Sequence, residues 1–584
     1  MNDPLLPINS QPKRTKKLLP KVLAVAAIVV LCGYKFLKLT PTVQLSDGLC
    51  PISDKIDPAP YVYDVSKIGQ ILKDKEYIDE VVERWSGAIQ IPSVSNDVMV
   101  NPNTTDDLEE LYRLEPAWKQ FTKLHEYLEK QYPLIHKHLK VEKVNKFSIL
   151  ITWQGSNTKQ KPILLTAHQD VVPVPDETLD QWKYPPFSGA VDGDRIYGRG
   201  SGDCKDLLMA LFETAELLLK EGKFQPQRTI LFGFGYDEES QGTGAVELSK
   251  FIFERYGPES LYALIDEGDQ GYVQQFGRYV IPIPTGEKGH LNSEIELFTP
   301  GGHSSVPPKH TSIGIMAKLI DRIESVDFSP AITNANPLMN ALQCMAEHGQ
   351  IEKSLKSDII KAVFDANANK KLVEYLSKDP STEFLIKTSQ AVDIIQGGVK
   401  SNALPEYVSV VVNHRISAEE SVESTSKKIL DDIKSIATKF DLGIVFENKT
   451  IVEKTKNGYF NYVLNESLEP SPISPIDTAA WNTFTGALRY LYEDVMNPGL
   501  NETFVAIPAY AAGNTDTKAY WDLTANIYRY SPYIGIVEGE DEVARGIHSL
   551  NEWSSISGHM ATISFYYYYL QIVDQIADDT LISQ

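Results

Sequence analysis

Cysteine is scarce in this chain: Cys32, Cys50, Cys204 and Cys344 are the four in 584 residues. No CxxC pair or Cys/His ribbon spacing occurs, which excludes a disulfide framework and a structural zinc finger. A GxSxG elbow, an HExxH helix and a Walker sequence are also missing, so three common hydrolase and nucleotide chemistries lack their usual scaffolds. Positive charge is sparse as well. The chain has 56 basic against 78 acidic side chains, a formal charge of −22. Lys13, Arg14, Lys16, Lys17 and Lys21, opposed only by Asp3, give the first 21 residues +4 and leave −26 for the rest. Without a basic cluster beyond that tail, nucleic-acid binding is not expected, because phosphate neutralisation needs concentrated cations. Hydrophobic residues at 42% and aromatics at 10% exclude global disorder.

Long apolar runs are nearly absent too. Residues 22–34 form one of thirteen positions, followed by Lys35. That is short beside the roughly 20 residues of a spanning helix. Lys21, Lys35 and Lys38 can snorkel, which extends the stretch. With a basic run in front and no tidy small-x-small cleavage site behind, residues 22–40 read as an uncleaved signal-anchor, a cleaved signal being the alternative. Residues 1–21 then face the cytosol, and the remainder faces a lumen as a type II membrane protein. Sequons at Asn103, Asn448, Asn465 and Asn501 are compatible glycosylation sites. Residues 41–75 read as a stalk, and Cys50–Cys344 is a bridge that spacing alone cannot test.

Beyond residue 76 the pattern is globular, and residues 106–132 read as one amphipathic surface helix. Three short apolar runs each end in polar clusters: Ile163-Leu164-Leu165-Thr166 before His168-Gln169-Asp170, Thr229-Ile230-Leu231-Phe232 before Asp237-Glu238-Glu239, and Tyr262-Ala263-Leu264-Ile265 before Asp266-Glu267. A Leu/Ala-rich helix over residues 206–220 separates the first two. Strands alternating with helices predict an α/β fold around a mainly parallel sheet, which binds ligands beyond its carboxyl strand ends. The polar clusters fall at those ends. His168-x-Asp170 suits an imidazole oriented by a carboxylate. Gly198-Arg199-Gly200-Ser201-Gly202-Asp203 is a tight loop aiming an acid into a cleft, its spacing unlike a phosphate cradle. Of the adjacent Glu238-Glu239, one can bind metal while the other faces substrate. From residue 291 the pattern changes to alternating strands around a helix, a smaller α+β domain over 291–416 with a helical insertion at 330–400. Residues 417–584 complete the first domain, and Cys204 reads as a small buried filler.

Taken together, His168-x-Asp170, Gly198–Asp203, Glu238-Glu239, Asp266-Glu267-Gly268, Gly301-Gly302-His303-Ser304-Ser305, Asn402-Ala403-Leu404-Pro405 and His548-x-x-Asn551-Glu552 resemble the M20 family of metallopeptidases and aminoacylases in order and spacing. The anchor and length look most like that family's fungal vacuolar carboxypeptidases of Gly-X type. The resemblance implies a zinc-exopeptidase-like mixed sheet with helices on both faces, over 76–290 and 417–584, interrupted by a lid. It implies two zinc ions, with cobalt or manganese as alternatives. Asp203 would bridge them, His168 and Asp266 would complete one site, and Glu239 and His548 the other. Glu267 is a rival for Asp266. Asp170 would orient His168, Glu238 would be the general base, and His303 would hydrogen-bond the oxyanion. Asn402 and Arg415 would hold substrate, although Asn413-His414 stand where the family usually has an acid before that Arg. The implied activity is removal of the C-terminal residue from short peptides in a vacuolar lumen. N-acyl amino acid hydrolysis is the alternative. In dimeric relatives the lid His comes from the partner subunit, which leaves a homodimer through the lid as an open expectation.

Overall fold

The apolar runs become the buried strands of a six-stranded sheet in a computed structural model that describes residues 48–533 and 545–578. The sheet order is Lys140–Val144, Ser148–Trp153, Ile230–Gly235, Ile163–His168, Ala263–Gln270, Ile527–Ser531. The first two strands form an antiparallel hairpin, and the last four run parallel. Every residue of Ile163–His168 and Ile230–Gly235 is buried, as expected for parallel strands covered on both faces. Alternate residues feed separate cores. Ile163 and Leu165 pack with helices Lys205–Glu221 and Ile556–Val573, while Leu164 packs with helix Thr243–Tyr256. Helix Ile556–Val573 is buried all round, Tyr566, Tyr567, Tyr568 and Tyr569 included.

The interrupting lid carries a second six-stranded sheet, ordered Ser389–Gly397, Tyr407–Ile416, Gly289–Phe298, Tyr459–Leu468, Gly443–Phe446, Lys449–Val452. Strand Gly289–Phe298 alternates buried and half-buried residues, and helices Ser312–Ser325 and Val422–Phe440 cover the inner face. The lid therefore does not end at residue 416. Strand Tyr459–Leu468 pairs with Gly289–Phe298, so the return to the first domain follows Leu468. A helical insertion beginning with Pro337–His348 has its own apolar core. It reaches back across the hinge: Arg278 Nε donates to the His348 carbonyl at 2.7 Å, and Lys288 Nζ donates to the carbonyls of Phe384 and Lys387 at 2.8 and 2.7 Å.

The chain divides into two units, Met1–Pro51 and Ile52–Gln584. The expected signal-anchor at 22–40 and its cytosolic tail lie outside the described residues. Among the described residues, no helix is long and apolar enough to cross a membrane. The expected stalk is shorter than residues 41–75, because helix Val65–Ile71 packs against Ile556–Val573 with Ile68 and Ile71 fully buried. Residues 106–132 form two helices rather than one, Leu108–Leu114 and Trp118–Gln131, parted at Pro116. Cys50 and Cys344 are each disulfide-bonded, and Cys204 is a buried free thiol. All four sequon asparagines are exposed.

Candidate metal centre

The adjacent strands Ile163–His168 and Ile230–Gly235 end side by side, and a buried Asp170 ties their ends together. Its Oδ1 accepts the Glu238 N–H at 3.1 Å, and its Oδ2 accepts the Glu239 N–H at 3.1 Å and the Ser95 hydroxyl at 2.6 Å. The His168 ring presents Nδ1 to the Asp170 carbonyl at 3.0 Å and to its Oδ1 at 3.3 Å. That arrangement leaves Nε2 of His168 facing the cleft.

Asp203 occupies the centre. Its Oδ1 lies 3.0 Å from His168 Nε2, and its Oδ2 lies 3.0 Å from His548 Nε2. His548 Nε2 is also 2.9 Å from Glu239, and His168 Nε2 is 3.3 Å from Glu267 Oε1. The loop that carries Asp203 depends on Gly200, at φ +83°, where a Cβ would come within 2.4 Å of Val171 Cγ1. Glu552 holds it from behind: Oε1 accepts the N–H groups of Gly202 and Asp203 at 3.0 and 3.3 Å, and Oε2 accepts Arg199 Nη1 at 2.6 Å. Glu552 thereby joins the Asp203 loop to the segment bearing His548.

Asp266 departs from its expected role. Successive strand residues face opposite ways, so on Ala263–Gln270 Glu267 turns toward His168 while Asp266 turns away into the protein. Asp266 is 1% exposed, its Oδ2 has no hydrogen-bond partner, and loss of water, with the Glu267 charge behind it, pushes it up to about 7. Cys204 is buried, its thiol is pushed up by loss of water, and its sulfur stands close enough to His168 and Glu267 for the three to share an ion.

A cleft of about 450 Å³ opens on this cluster, lined by Asp203, Glu238, Glu239, Glu267 and His548, and by Gly513, Asn514 and Thr515. Neither His303 nor Asn402 lines it. Both are exposed on the lid, paired through the short ladder Gly302–His303 with Ala403–Leu404. Arg415 stands one residue removed, donating from Nη1 to Asn514 Oδ1 at 3.2 Å. Sequence patterns pass over Ser95, and they quote Glu552 without a role. No spacing rule links a residue to a loop some 350 positions away.

Four carboxylates face two imidazoles here, and their pKa values record the crowding. Loss of water, with the Asp203 charge behind it, pushes Glu239 up to about 7. Loss of water raises Glu238 well above the carboxylate range. Hydrogen bonds to Asp203 and Glu239 push His548 up to about 10. Asp203 stays below the usual range despite burial, because His168 and His548 hydrogen-bond its charged form. Two groups of donors, His168 with Asp203 and Glu239 and His168 with Cys204 and Glu267, converge closely enough to fit divalent cations.

A profile of peptidase family M20/M25/M40 matches residues 164–572. Carboxypeptidase S of Saccharomyces cerevisiae is 41% identical over 533 residues, covering 90% of each chain. The human N-fatty-acyl-amino acid synthase/hydrolase PM20D1 is 31% identical over 501 residues, 84% of this chain and 87% of that one. Among solved structures, an M20 family metallo-carboxypeptidase from Sulfolobus solfataricus superposes with a TM-score of 0.54 at 18% identity, covering 85% of this chain and 100% of that one.

Two outcomes follow from the geometry. Glu267→Ala should lower bound metal by about one ion per chain in elemental analysis, while Asp266→Asn retains the full complement; the reverse pattern would restore Asp266 as ligand. In the chelated protein, the raised Glu239 holds its proton more tightly folded than unfolded. Its stabilisation is present at acidic pH and lost as pH rises from about 4.5 to about 7. His548 acts in the same direction up to about 10, while Asp203 contributes a constant amount above about 3.8. The melting temperature of the chelated protein should therefore fall by several degrees from about pH 5 to about pH 8, and saturating zinc should remove most of that slope. A rise over that range would contradict the electrostatics.

Proposed function

The chain belongs to peptidase family M20/M25/M40, and on that premise we propose a two-zinc carboxypeptidase that releases the C-terminal residue from short peptides of Gly-X type. The observation that carries the reading is the shared Asp203, one oxygen toward His168 and the other toward His548. His168, Asp203 and Glu267 would hold one ion, and His548, Asp203 and Glu239 the other. The all-N/O donor set suits zinc and would also accept cobalt or manganese. When bound, the two cations supply Lewis acidity that makes water nucleophilic near neutral pH and offsets charge developing on the scissile carbonyl oxygen.

The chain's own residues supply the proton traffic. Glu238 lines the cleft on the turn that Asp170 fixes, and burial raises its basicity. It takes a proton from the attacking water as the hydroxyl adds to the carbonyl carbon. It returns that proton to the amine nitrogen as the C–N bond breaks. His303 Nδ1 accepts the Ser305 N–H at 3.1 Å, so its proton resides on Nε2, the tautomer an oxyanion donor needs.

His303 is exposed and lines no part of the cleft in its own chain. Strand Ser389–Gly397, at the edge of the lid sheet, exposes Ile394 and Ile395 at 50% and 56%. These features support a homodimer through the lid in which each His303 serves the other copy. Placement in a vacuolar lumen by an N-terminal anchor rests on the sequence of residues 1–40. N-acyl amino acid hydrolysis remains the second reading, favoured by the likeness to the human N-fatty-acyl enzyme; the bond is an amide in both.

Glu238→Gln should keep its metal and lose about a thousandfold in kcat on an N-blocked glycyl dipeptide. Substantial residual turnover would remove Glu238 as the base. On the wild-type enzyme that dipeptide should outpace a fatty-acyl amino acid, and the opposite ranking selects the second reading. Mixing inactive His303→Ala with inactive Glu238→Gln chains should restore part of the activity, because a hybrid dimer contains one intact site. No recovery, or a monomer by sedimentation, would remove the shared-site arrangement.

A further inference from the structure

The loop that brings Asp203 to the cleft ends one residue later, at Cys204, which flanks the start of helix Lys205–Glu221. That flanking position selects Ser, Thr, Asp or Asn, whose side-chain oxygens accept the first free N–H groups of a helix. Cys204 makes no such hydrogen bond. It is 1% exposed, and among the described residues it is the one free thiol. Its sulfur belongs instead to a group of three donors. Cys204 Sγ, a His168 ring nitrogen and a Glu267 carboxylate oxygen all lie within 4.8 Å of one another. Within that group His168 Nε2 and Glu267 Oε1 are 3.3 Å apart.

Zinc sits about 2.3 Å from a sulfur ligand and about 2.0 Å from nitrogen or oxygen, which keeps tetrahedral donors within about 4 Å of each other. A group spanning at most 4.8 Å needs little closure to hold one ion. The place of the sulfur suits its charged form. The first turn of a 17-residue helix presents unpaired N–H groups and the positive end of its dipole, which favour a thiolate. On coordination the S–H bond breaks, a metal–sulfur bond forms and the proton leaves to water, with no change of oxidation state.

We propose that Cys204 is a thiolate ligand of the ion held by His168 and Glu267. The proposal rests on the two-metal reading of the cluster and deepens it, whichever amide is the substrate. It makes the two sites unequal. Beside the shared Asp203, one site has the anionic donors Cys204 and Glu267, and the other has Glu239 alone. The His548 side therefore leaves its ion the more positive and the better placed to polarise a carbonyl, while the sulfur makes the His168 side prefer softer ions.

The test loads the full chain with cobalt(II) and records its absorption spectrum beside its metal content. A cobalt–thiolate bond gives an intense charge-transfer band in the near ultraviolet that nitrogen and oxygen ligands do not give. Wild type should show the band, and Cys204→Ser should lose it. Serine suits the helix start, so the fold should be kept. Cys32→Ser, the control for the remaining cysteine, should retain the band, and this decides the assignment if Cys204→Ser also sheds an ion. Cys204→Ser should in addition weaken cadmium binding at one site by about tenfold or more and leave manganese binding unchanged. Cobalt bound without the band, or a band that survives Cys204→Ser, would make Cys204 a buried filler and overturn the proposal. A wild type that retains no cobalt would remove the metal centre itself, and the sulfur ligand with it.

Discussion

The buried Asp170 carboxylate is the tie on which the site depends. Parallel neighbouring strands deliver His168 and the Glu238-Glu239 turn to the same edge of the sheet, but strand geometry alone would let like charges spread apart. Asp170 prevents that by accepting the N–H groups of both glutamates and contacting the His168 ring, with Ser95 completing its shell. A charge-assisted hydrogen bond to a buried carboxylate is worth roughly 1.5–3 kcal/mol. Three of them on one group make the turn rigid at the point where repulsion is greatest. Glu552 does the same for the Asp203 loop from the opposite side. The acids are thus held together against their own repulsion, and cations complete what the hydrogen bonds begin.

The sheet and most of this cluster are legible in the sequence because both follow short-range rules. Apolar runs of four residues followed by acids predict the parallel strands and their carboxyl ends, and those runs lie in strands. Asp266 and Glu267 show where such reading stops. Adjacent acids on a strand face opposite ways, so one of the pair must leave the cleft, and the register against Arg529 decides which. Register is a tertiary property. The same holds for Glu552 and Ser95, whose partners lie far along the chain. The lid boundary escapes sequence patterns for a related reason: strand Tyr459–Leu468 alternates weakly, and only its pairing to Gly289–Phe298 assigns it.

The lid is bound to the catalytic domain by more than its two crossing strands. At the first crossing Lys288 is buried and donates to two carbonyls of the helical insertion, while its own carbonyl accepts Asn514 Nδ2 at 2.6 Å. Asn514 Oδ1 meets His290 and Arg415 of the lid, each at 3.2 Å, and its loop lines the cleft. Lid posture and the cleft wall therefore share one amide side chain. Any rotation of the lid about Lys288 must break or re-form these contacts, so closure over a substrate and the shape of the Asn514 loop change together.

That coupling bears on the choice between peptide and acyl substrates. The Asp203 cluster and Glu238 give no means of telling the two apart, because the bond to be broken is an amide in both. Discrimination must come from what borders the acyl side. Asn514 is positioned by His290 and Arg415 of the lid and by the Lys288 carbonyl at the crossing. A hinge-held wall adjusts more readily than a sheet-held one, since half-buried hydrogen bonds hold it and not packed core. The cleft wall can thus be reshaped through the lid and its hinge without altering the Asp203 cluster.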